Sequence, residues 1–171
     1  MVAWSVAEGS RGRRWRATAA LEGSISHALL LEVDPRGRCR RLELTTPAGM
    51  LTLHPEPGER EIHGNVVAAD GSVRPLAFEW SADHEIEIVG RPIATAIALH
   101  RWRELVPVGA HALIPVLSID GLLGVEAGVR RVIRLDVDRW SVDDASGTSV
   151  GEVVLDARGL PAAEATWSLE D

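Results

Sequence analysis

Three carboxylates alternate along one short stretch of the sequence. Asp83, Glu85 and Glu87 are spaced by two residues, so on a β-strand all three point to the same face. Two carboxylic acids at a suitable separation can serve as the general acid and base of a glycosidase. The same spacing is typical of the solvated face of an amphipathic strand, and we favour that interpretation. Asp136 and Asp138 are interpreted in the same way.

The histidines, the cysteine and two serines that adjoin glycines form no catalytic or metal-binding motif. The six histidines lack the spacing that places two imidazoles on one helical face, so we expect no metal site, with ligands from distant strands as the alternative. Ser24 and Ser146 do not complete a Gly-x-Ser-x-Gly pattern, and the single cysteine, Cys39, lies between two arginines. We therefore expect no catalytic residues, no cofactor and no enzymatic activity. The histidines are His27, His54, His63, His84, His100 and His111.

Short strands are the elements that must position these residues. Apolar and polar residues alternate in many brief runs, as at Leu51 and Leu53, and turn signals recur every eight to twelve residues. This pattern predicts a mainly β fold with ten or more antiparallel strands, each with one buried face. By the same rule we expect Ile133, Leu135 and Val137 to lie on a buried face.

One segment departs from this alternation and predicts a helix. Pro92–Trp102 begins with proline at a plausible first helical position and is rich in alanine. A strand through Thr95, Ile97 and Leu99 is the alternative, because β-branched residues fit strands well. We favour one short helix. It is apolar almost all round, so we expect other elements to enclose it.

Composition and charge limit the class of protein. With 171 residues, 46% of them hydrophobic, we expect a single domain over residues 1–171. The chain has no apolar run of about 18 residues and no secretory signal, so we expect a cytoplasmic protein that is not transmembrane. The formal net charge of −7 argues against nucleic acid as a partner.

The charge is unevenly distributed along the sequence. Residues 1–41 carry eight arginines and four acids, whereas the remaining residues carry ten arginines and 21 acids. We interpret the N-terminal arginines as an exposed basic edge that discourages aggregation between strands. The alternative is contact with anionic head groups or with an acidic partner.

Tryptophan accounts for six of the seven aromatic residues. Its large apolar ring and single N–H donor suit both core packing and contact with sugars or lipid chains. We favour core packing, with a ligand contact for at least one of them as the alternative. The six are Trp4, Trp15, Trp80, Trp102, Trp140 and Trp167.

Several short motifs resemble a bacterial family of glycolipid-binding proteins. They include Leu51-Thr52-Leu53-His54, His63-Gly64-Asn65-Val66-Val67, Trp80-Ser81-Ala82-Asp83-His84-Glu85, Gly90-Arg91-Pro92-Ile93-Ala94 and Ile114-Pro115-Val116-Leu117. The resemblance implies a single long, curled antiparallel sheet wrapped around one helix, a spiral β-roll. It also implies binding of a lipid or glycolipid, and a homodimer.

From these observations we expect a non-enzymatic protein that binds an apolar chain in a half-open β-roll. The alternative is a homodimeric protein-interaction module with no small-molecule ligand. Arg91 is the best candidate for a head-group contact, because its planar fork can bind a phosphate or carboxylate. For Arg91 itself, however, we favour an ion pair with Glu85 or Glu87. The predicted ligand-binding residues are Trp80, Asp83, His84, Arg91, Ile93, Ile97 and Trp102.

Overall fold

The computed structural model describes residues 2–21, 24–58 and 60–162. Within those ranges the chain forms twelve strands and one helix, which confirms the prediction of a mainly β fold with ten or more strands. The elements are β1 (Val2–Gly9), β2 (Gly12–Leu21), β3 (Ser24–Val33), β4 (Cys39–Thr46), β5 (Gly49–Pro55), β6 (Glu61–Ala68), β7 (Val73–Glu79), β8 (Glu85–Ile88), α1 (Pro92–Trp102), β9 (His111–Ile119), β10 (Val125–Arg134), β11 (Arg139–Asp143) and β12 (Ser149–Val154).

The strands belong to two sheets, where the resemblance implies one continuous sheet. One sheet has seven strands in the order β1 to β7, and the other has five in the order β12-β11-β10-β9-β8. The chain also divides into two compact units. The first unit comprises the described residues up to Ala82 together with Asp120–Gly124. The second unit comprises Asp83–Ile119 and the described residues from Val125 onward.

In the first unit every strand is antiparallel to the one that follows it. The predicted alternation is confirmed here, because Leu51 and Leu53 are buried while their neighbours Thr52 and His54 are not. Charged side chains lie on the opposite face and pair at the surface. Arg41, for example, forms an exposed ion pair with Glu43 two residues further on.

Three of the turns share one geometry. The Oδ1 atom of Asp34 accepts the backbone N–H groups of Arg36 and Arg38, at 2.8 and 3.0 Å. Asp144 and Asp156 bind the amides two and four residues further on in the same way. A glycine with positive φ follows three residues after each aspartate, as that backbone conformation requires. These turns set the register of the hairpins that they connect.

In the second unit, β8 and β9 are parallel, and α1 connects them. The predicted helix is confirmed from Pro92 to Trp102. Its residues 94 to 99 are all buried, so the helix is enclosed as expected. It packs on one face of the five-stranded sheet, where Leu99 joins a core that includes Val116, Val132 and Trp140. No helix in the described part of the chain is long and apolar enough to cross a bilayer.

The predicted buried face at residues 133–137 is wrong. β10 ends at Arg134, and its core residue is Val132 rather than Ile133. Leu135 and Val137 lie in the turn before β11 and are exposed. The alternation continued through a turn, where it carries no information about which side of a sheet a residue faces.

Tryptophans mainly serve packing, as expected. Trp15, Trp80 and Trp140 are buried. Trp102 is partly buried at the end of α1. The side chain of Trp4 and all of Trp167 lie outside the described residues.

Candidate functional site

Two buried carboxylates occupy the strand that begins the second unit. Glu85 and Glu87 are 6% and 3% exposed, on the face of the sheet that α1 covers. The interpretation of these residues as a solvated strand face is therefore wrong. The reason is that α1 packs against β8 and removes that face from water. Only Asp83, which precedes the strand, remains exposed.

Glu85 lies between an arginine and a tryptophan from the end of α1. Nη1 of Arg101 is 3.0 Å from Oε1 of Glu85, although it lacks the alignment of a hydrogen bond. The indole N–H of Trp102 donates to the same oxygen at 2.9 Å. The guanidinium of Arg101 also stacks 5.3 Å from the centre of the Trp102 ring, and Asp83 lies 3.9 Å from it.

Burial dominates the electrostatics of Glu85. Removal from water raises the pKa of Glu85 to about 7, and the charge of Arg101 and the Trp102 hydrogen bond offset this only in part. A carboxyl group with such a pKa changes charge near neutrality, which is unusual for a glutamate.

Glu87 is held by a complete set of donors. Nε and Nη2 of Arg130 donate to its two oxygens at 3.0 and 2.5 Å, in a bidentate pair. The hydroxyl of Ser118, directly across the ladder from Glu87, donates to Oε2 at 2.5 Å. A buried carboxylate needs such partners, since an unpaired buried charge is costly. These contacts indicate a structural role for Glu87.

A small cavity lies beside α1 and these carboxylates. It measures about 20 Å³, and its lining includes Glu85, Glu87, Thr95, Leu99, Val116 and Arg130. The hydroxyl of Thr95 is buried and has no hydrogen-bond partner among the described residues. Such a volume holds about one water molecule, whereas sites for drug-sized ligands measure about 300–1,000 Å³. This cavity cannot accept an acyl chain.

The predicted ligand-binding residues lie in several different parts of the structure. Asp83 and Trp102 come together at the Glu85–Arg101 pair, as described above. Ile93 is half-buried and Ile97 is buried on α1, whereas His84 lies in the turn before β8. Trp80 belongs to the first unit and is buried there.

Arg91 precedes α1 and does not form the ion pair that we favoured for it. Its backbone N–H donates to the carbonyl of Ile88 at 2.9 Å. The arginines that pair with Glu85 and Glu87 are Arg101 and Arg130, so the favoured interpretation of Arg91 is wrong. Those partners come from α1 and β10, which the spacing around Glu85 does not reveal.

A second arginine site organises two loops of the second unit. The guanidinium of Arg134, at the end of β10, donates to the carbonyl oxygens of Arg103 at 2.6 Å and of Val106 at 3.0 Å. It also donates to the carbonyl of Val137 at 2.8 Å. It lies 5.5 Å from the centre of the buried Trp140 ring. Arg134 thus joins the loop after α1 to the turn between β10 and β11.

These two loops carry four exposed aliphatic side chains, which we term the aliphatic tip. Two come from the loop after α1 and two from the turn after β10, and each is 43% to 63% exposed. Backbone hydrogen bonds between Gly109, Ala110 and Arg134 hold the loops side by side. The members of the tip are Leu105, Val108, Leu135 and Val137.

Sequence reasoning missed the aliphatic tip. For Leu135 and Val137 it misread a turn as a strand. The available signal was the segment Asp136-Val137-Asp138-Arg139, whose polar residues are typical of a turn. An apolar residue such as Val137 is not needed to form such a turn, so its presence there indicates an exposed apolar side chain.

The fold and these sites define a mainly β protein with one enclosed helix, a buried carboxylate–arginine network and an exposed aliphatic tip. No family model and no curated protein matches the chain. Among solved structures, it is similar to a crystal structure of a DUF1089 family protein from Pseudomonas aeruginosa. The two share 18% sequence identity with a TM-score of 0.65, over 98% of this chain and 92% of that chain. At this identity the likeness shows the fold, which is one that an uncharacterised bacterial β family adopts.

Proposed function

We propose that the protein is a non-enzymatic binding protein for a lipid or glycolipid, which meets the apolar part of its ligand with the aliphatic tip. The observation that carries this proposal is the group of four exposed aliphatic side chains on two adjacent loops. Clustered exposed apolar groups mark sites of interaction with proteins, ligands or membranes. The resemblance of the sequence motifs to glycolipid-binding proteins favours a lipid among these.

The two loops that carry the aliphatic tip are already held in a fixed conformation. Arg134 ties both loops through their carbonyl oxygens, so little conformational freedom remains to be lost when a ligand binds. Arg103 lies on one of these loops, 3.7 Å from Asp138 on the other. Its guanidinium is partly exposed and is placed to contact an anionic or hydroxylated head group.

The size of the tip predicts modest affinity. Fully burying a leucine or valine that was exposed contributes about 1.5–3 kcal/mol. The side chains of the tip are already about half-buried, so each contributes roughly 1 kcal/mol. A contact of this strength favours binding to a membrane surface, which presents many lipids, over extraction of a single lipid molecule.

The test is flotation of the protein with phosphatidylcholine vesicles that contain or lack a glycolipid, together with solvent extraction and mass spectrometry of the purified protein. We expect flotation with vesicles and a roughly tenfold or greater loss of affinity in the double variant Leu105→Ser/Val137→Ser. Leu122→Ser is the matched control, because Leu122 is 82% exposed but belongs to the first unit.

Two results would contradict lipid binding. One is a wild-type protein that neither floats with vesicles nor yields lipid on extraction. The other is a double variant that floats as well as the wild type. If the wild type is instead a dimer by size-exclusion chromatography and the double variant is a monomer, the aliphatic tip is a contact between copies of the chain. That outcome favours the protein-interaction alternative.

A further inference from the structure

A cluster of potential metal ligands lies in the first unit. Glu61 and His63 are spaced by two on β6, and the side chain between them, Ile62, is buried. Both therefore project to the outer face of the sheet. Glu56 follows the end of β5, the neighbouring antiparallel strand, and its backbone N–H donates to the carbonyl of Glu61 at 2.9 Å.

The ligand atoms of these side chains already converge. Nε2 of His63 lies 3.0 Å from Oε2 of Glu61 and 3.2 Å from Oε1 of Glu56, and all three atoms lie within 4.8 Å of one another. Zn²⁺ binds nitrogen and oxygen ligands at about 2.0–2.2 Å in a tetrahedron, which separates the ligand atoms by about 3.3 Å. The two nitrogen–oxygen distances are close to that separation, and the two carboxylate oxygens lie within 4.8 Å of each other.

The three ligand atoms can also bind one cation. Nε2 of a neutral imidazole offers a lone pair when the proton is on Nδ1, and each carboxylate supplies an oxygen ligand. A cation bound to all three atoms would contact both carboxylates at once.

The local charge favours a cation as well. Glu79 on β7 lies directly across the ladder from Glu61, and like charges in that position repel. Within the described ranges, no arginine forms an ion pair with Glu56, Glu61 or Glu79, including the neighbouring Arg60. The two carboxylate ligands and Glu79 thus have no arginine partner among the described residues, and His54 lies directly across the ladder from His63.

We propose that Glu56, Glu61 and His63 bind a divalent transition-metal ion such as Zn²⁺, with water in the fourth position. One imidazole and two carboxylates form a donor set that suits Zn²⁺ or Mn²⁺ better than Cu⁺, which prefers sulfur. The histidine spacing in the sequence excludes a helical site only. This site instead combines a Glu-x-His pair on one strand with a glutamate beyond the end of its neighbour.

The test uses the full chain without a histidine tag, titrated with Zn²⁺ by calorimetry and with Co²⁺ by absorption spectroscopy. We expect one ion per chain and visible Co²⁺ bands of a nitrogen- and oxygen-ligated site. His63→Ala and Glu61→Gln should each weaken Zn²⁺ binding at least tenfold. His111→Ala is the matched control, since His111 is an exposed strand histidine of the second unit and should leave binding unchanged.

Thermal melting in EDTA shows whether a variant loses Zn²⁺ affinity because a metal ligand is missing or because the protein is unfolded. We expect His63→Ala and Glu61→Gln to melt in EDTA as the wild type does, and only the wild type and His111→Ala to gain stability in excess Zn²⁺. The proposal is overturned by the absence of saturable Zn²⁺ binding. It is also overturned if His63→Ala and Glu61→Gln both retain the wild-type affinity, or if His111→Ala loses as much affinity as His63→Ala.

Discussion

The two units differ in whether the charged side chains on their strands are exposed or buried. In the first unit, Arg41 and Glu43 pair on the outer face of the sheet, where both are partly or fully exposed to water. In the second unit, Glu87 lies beneath α1 and is held by Arg130 and Ser118. The strands carry similar alternating patterns. What differs is whether another layer covers the polar face, and that decides whether a charge is solvated or must find its partner inside the protein.

The largest expected effect comes from removing one partner of the buried pair. Arg130→Met leaves the carboxylate of Glu87 buried with one hydroxyl donor, which should lower the free energy of unfolding by about 3–5 kcal/mol. Arg41→Met removes the same kind of side chain from an exposed pair and should cost about 0–1 kcal/mol. Urea denaturation of both variants measures the difference. Equal losses in the two variants would show that the layer over β8 does not isolate Glu87 from water.

The pH dependence of stability should reveal the buried glutamate of the second unit. The folded-state pKa of Glu85, about 7, lies above its usual value of 4.5, so the folded protein holds this proton more tightly than the unfolded chain. The stabilisation is complete below pH 4.5 and is lost as the pH rises through 7, by about 3 kcal/mol in all. Glu85→Gln does not titrate, so its stability relative to the wild type should rise over that interval.

The matched control for this titration is Glu43→Gln, which removes one exposed carboxyl from the first unit. Urea denaturation at several pH values between 4 and 8 supplies the free energies. We expect the difference between Glu85→Gln and the wild type to grow with pH, and the difference for Glu43→Gln to stay nearly constant. Parallel curves for all three proteins would contradict the burial of an ionisable group at residue 85.

A smaller difference in stability is expected when one glycine in each sheet is replaced by alanine. A Cβ atom at Gly64 on β6 would lie 1.8 Å from the backbone oxygen of Thr52, whereas one at Gly128 on β10 would meet only a methyl group of Val116 at 3.8 Å. Gly64→Ala should therefore destabilise by about 1–3 kcal/mol. Gly128→Ala should be neutral or stabilise by about 0.4–1 kcal/mol, because it restricts the unfolded chain.

Thermal melting of the two alanine variants measures this contrast. A Gly64→Ala variant that melts with the wild type would mean that β5 and β6 separate easily at this point. Such freedom would also weaken the case for metal ligands prearranged on that strand pair.

Sequence reasoning succeeded where structure depends on neighbours along the chain. The bounds of α1 followed from Pro92, the high alanine content and the absence of alternation between apolar and polar residues. The buried faces of β4 and β5 followed from a period of two. Both are local properties of the backbone, and a single sequence contains the information that determines them.

The candidate sites depend on partners that are distant in sequence. Glu87 meets Arg130 across 43 positions, and nothing in the spacing of either residue indicates the other. The burial of Glu85 depends on α1 returning over β8, so the same pattern of acids would be solvated without that crossover. The aliphatic tip requires Arg134 to join two loops, which is likewise a property of the assembled unit.

The order of the strands has a consequence for how the chain assembles. In the first unit each strand pairs with its immediate successor, so each step closes a loop of only a few residues at a low entropic cost. Hairpins of this kind can form one after another while the ribosome is still adding residues. β8 instead pairs in parallel with β9, across the whole of α1. It must wait for a partner synthesised later, and β9 can join β10 as a hairpin without it. We therefore expect Glu85 and Glu87 to stay in water during synthesis until the crossover closes over them.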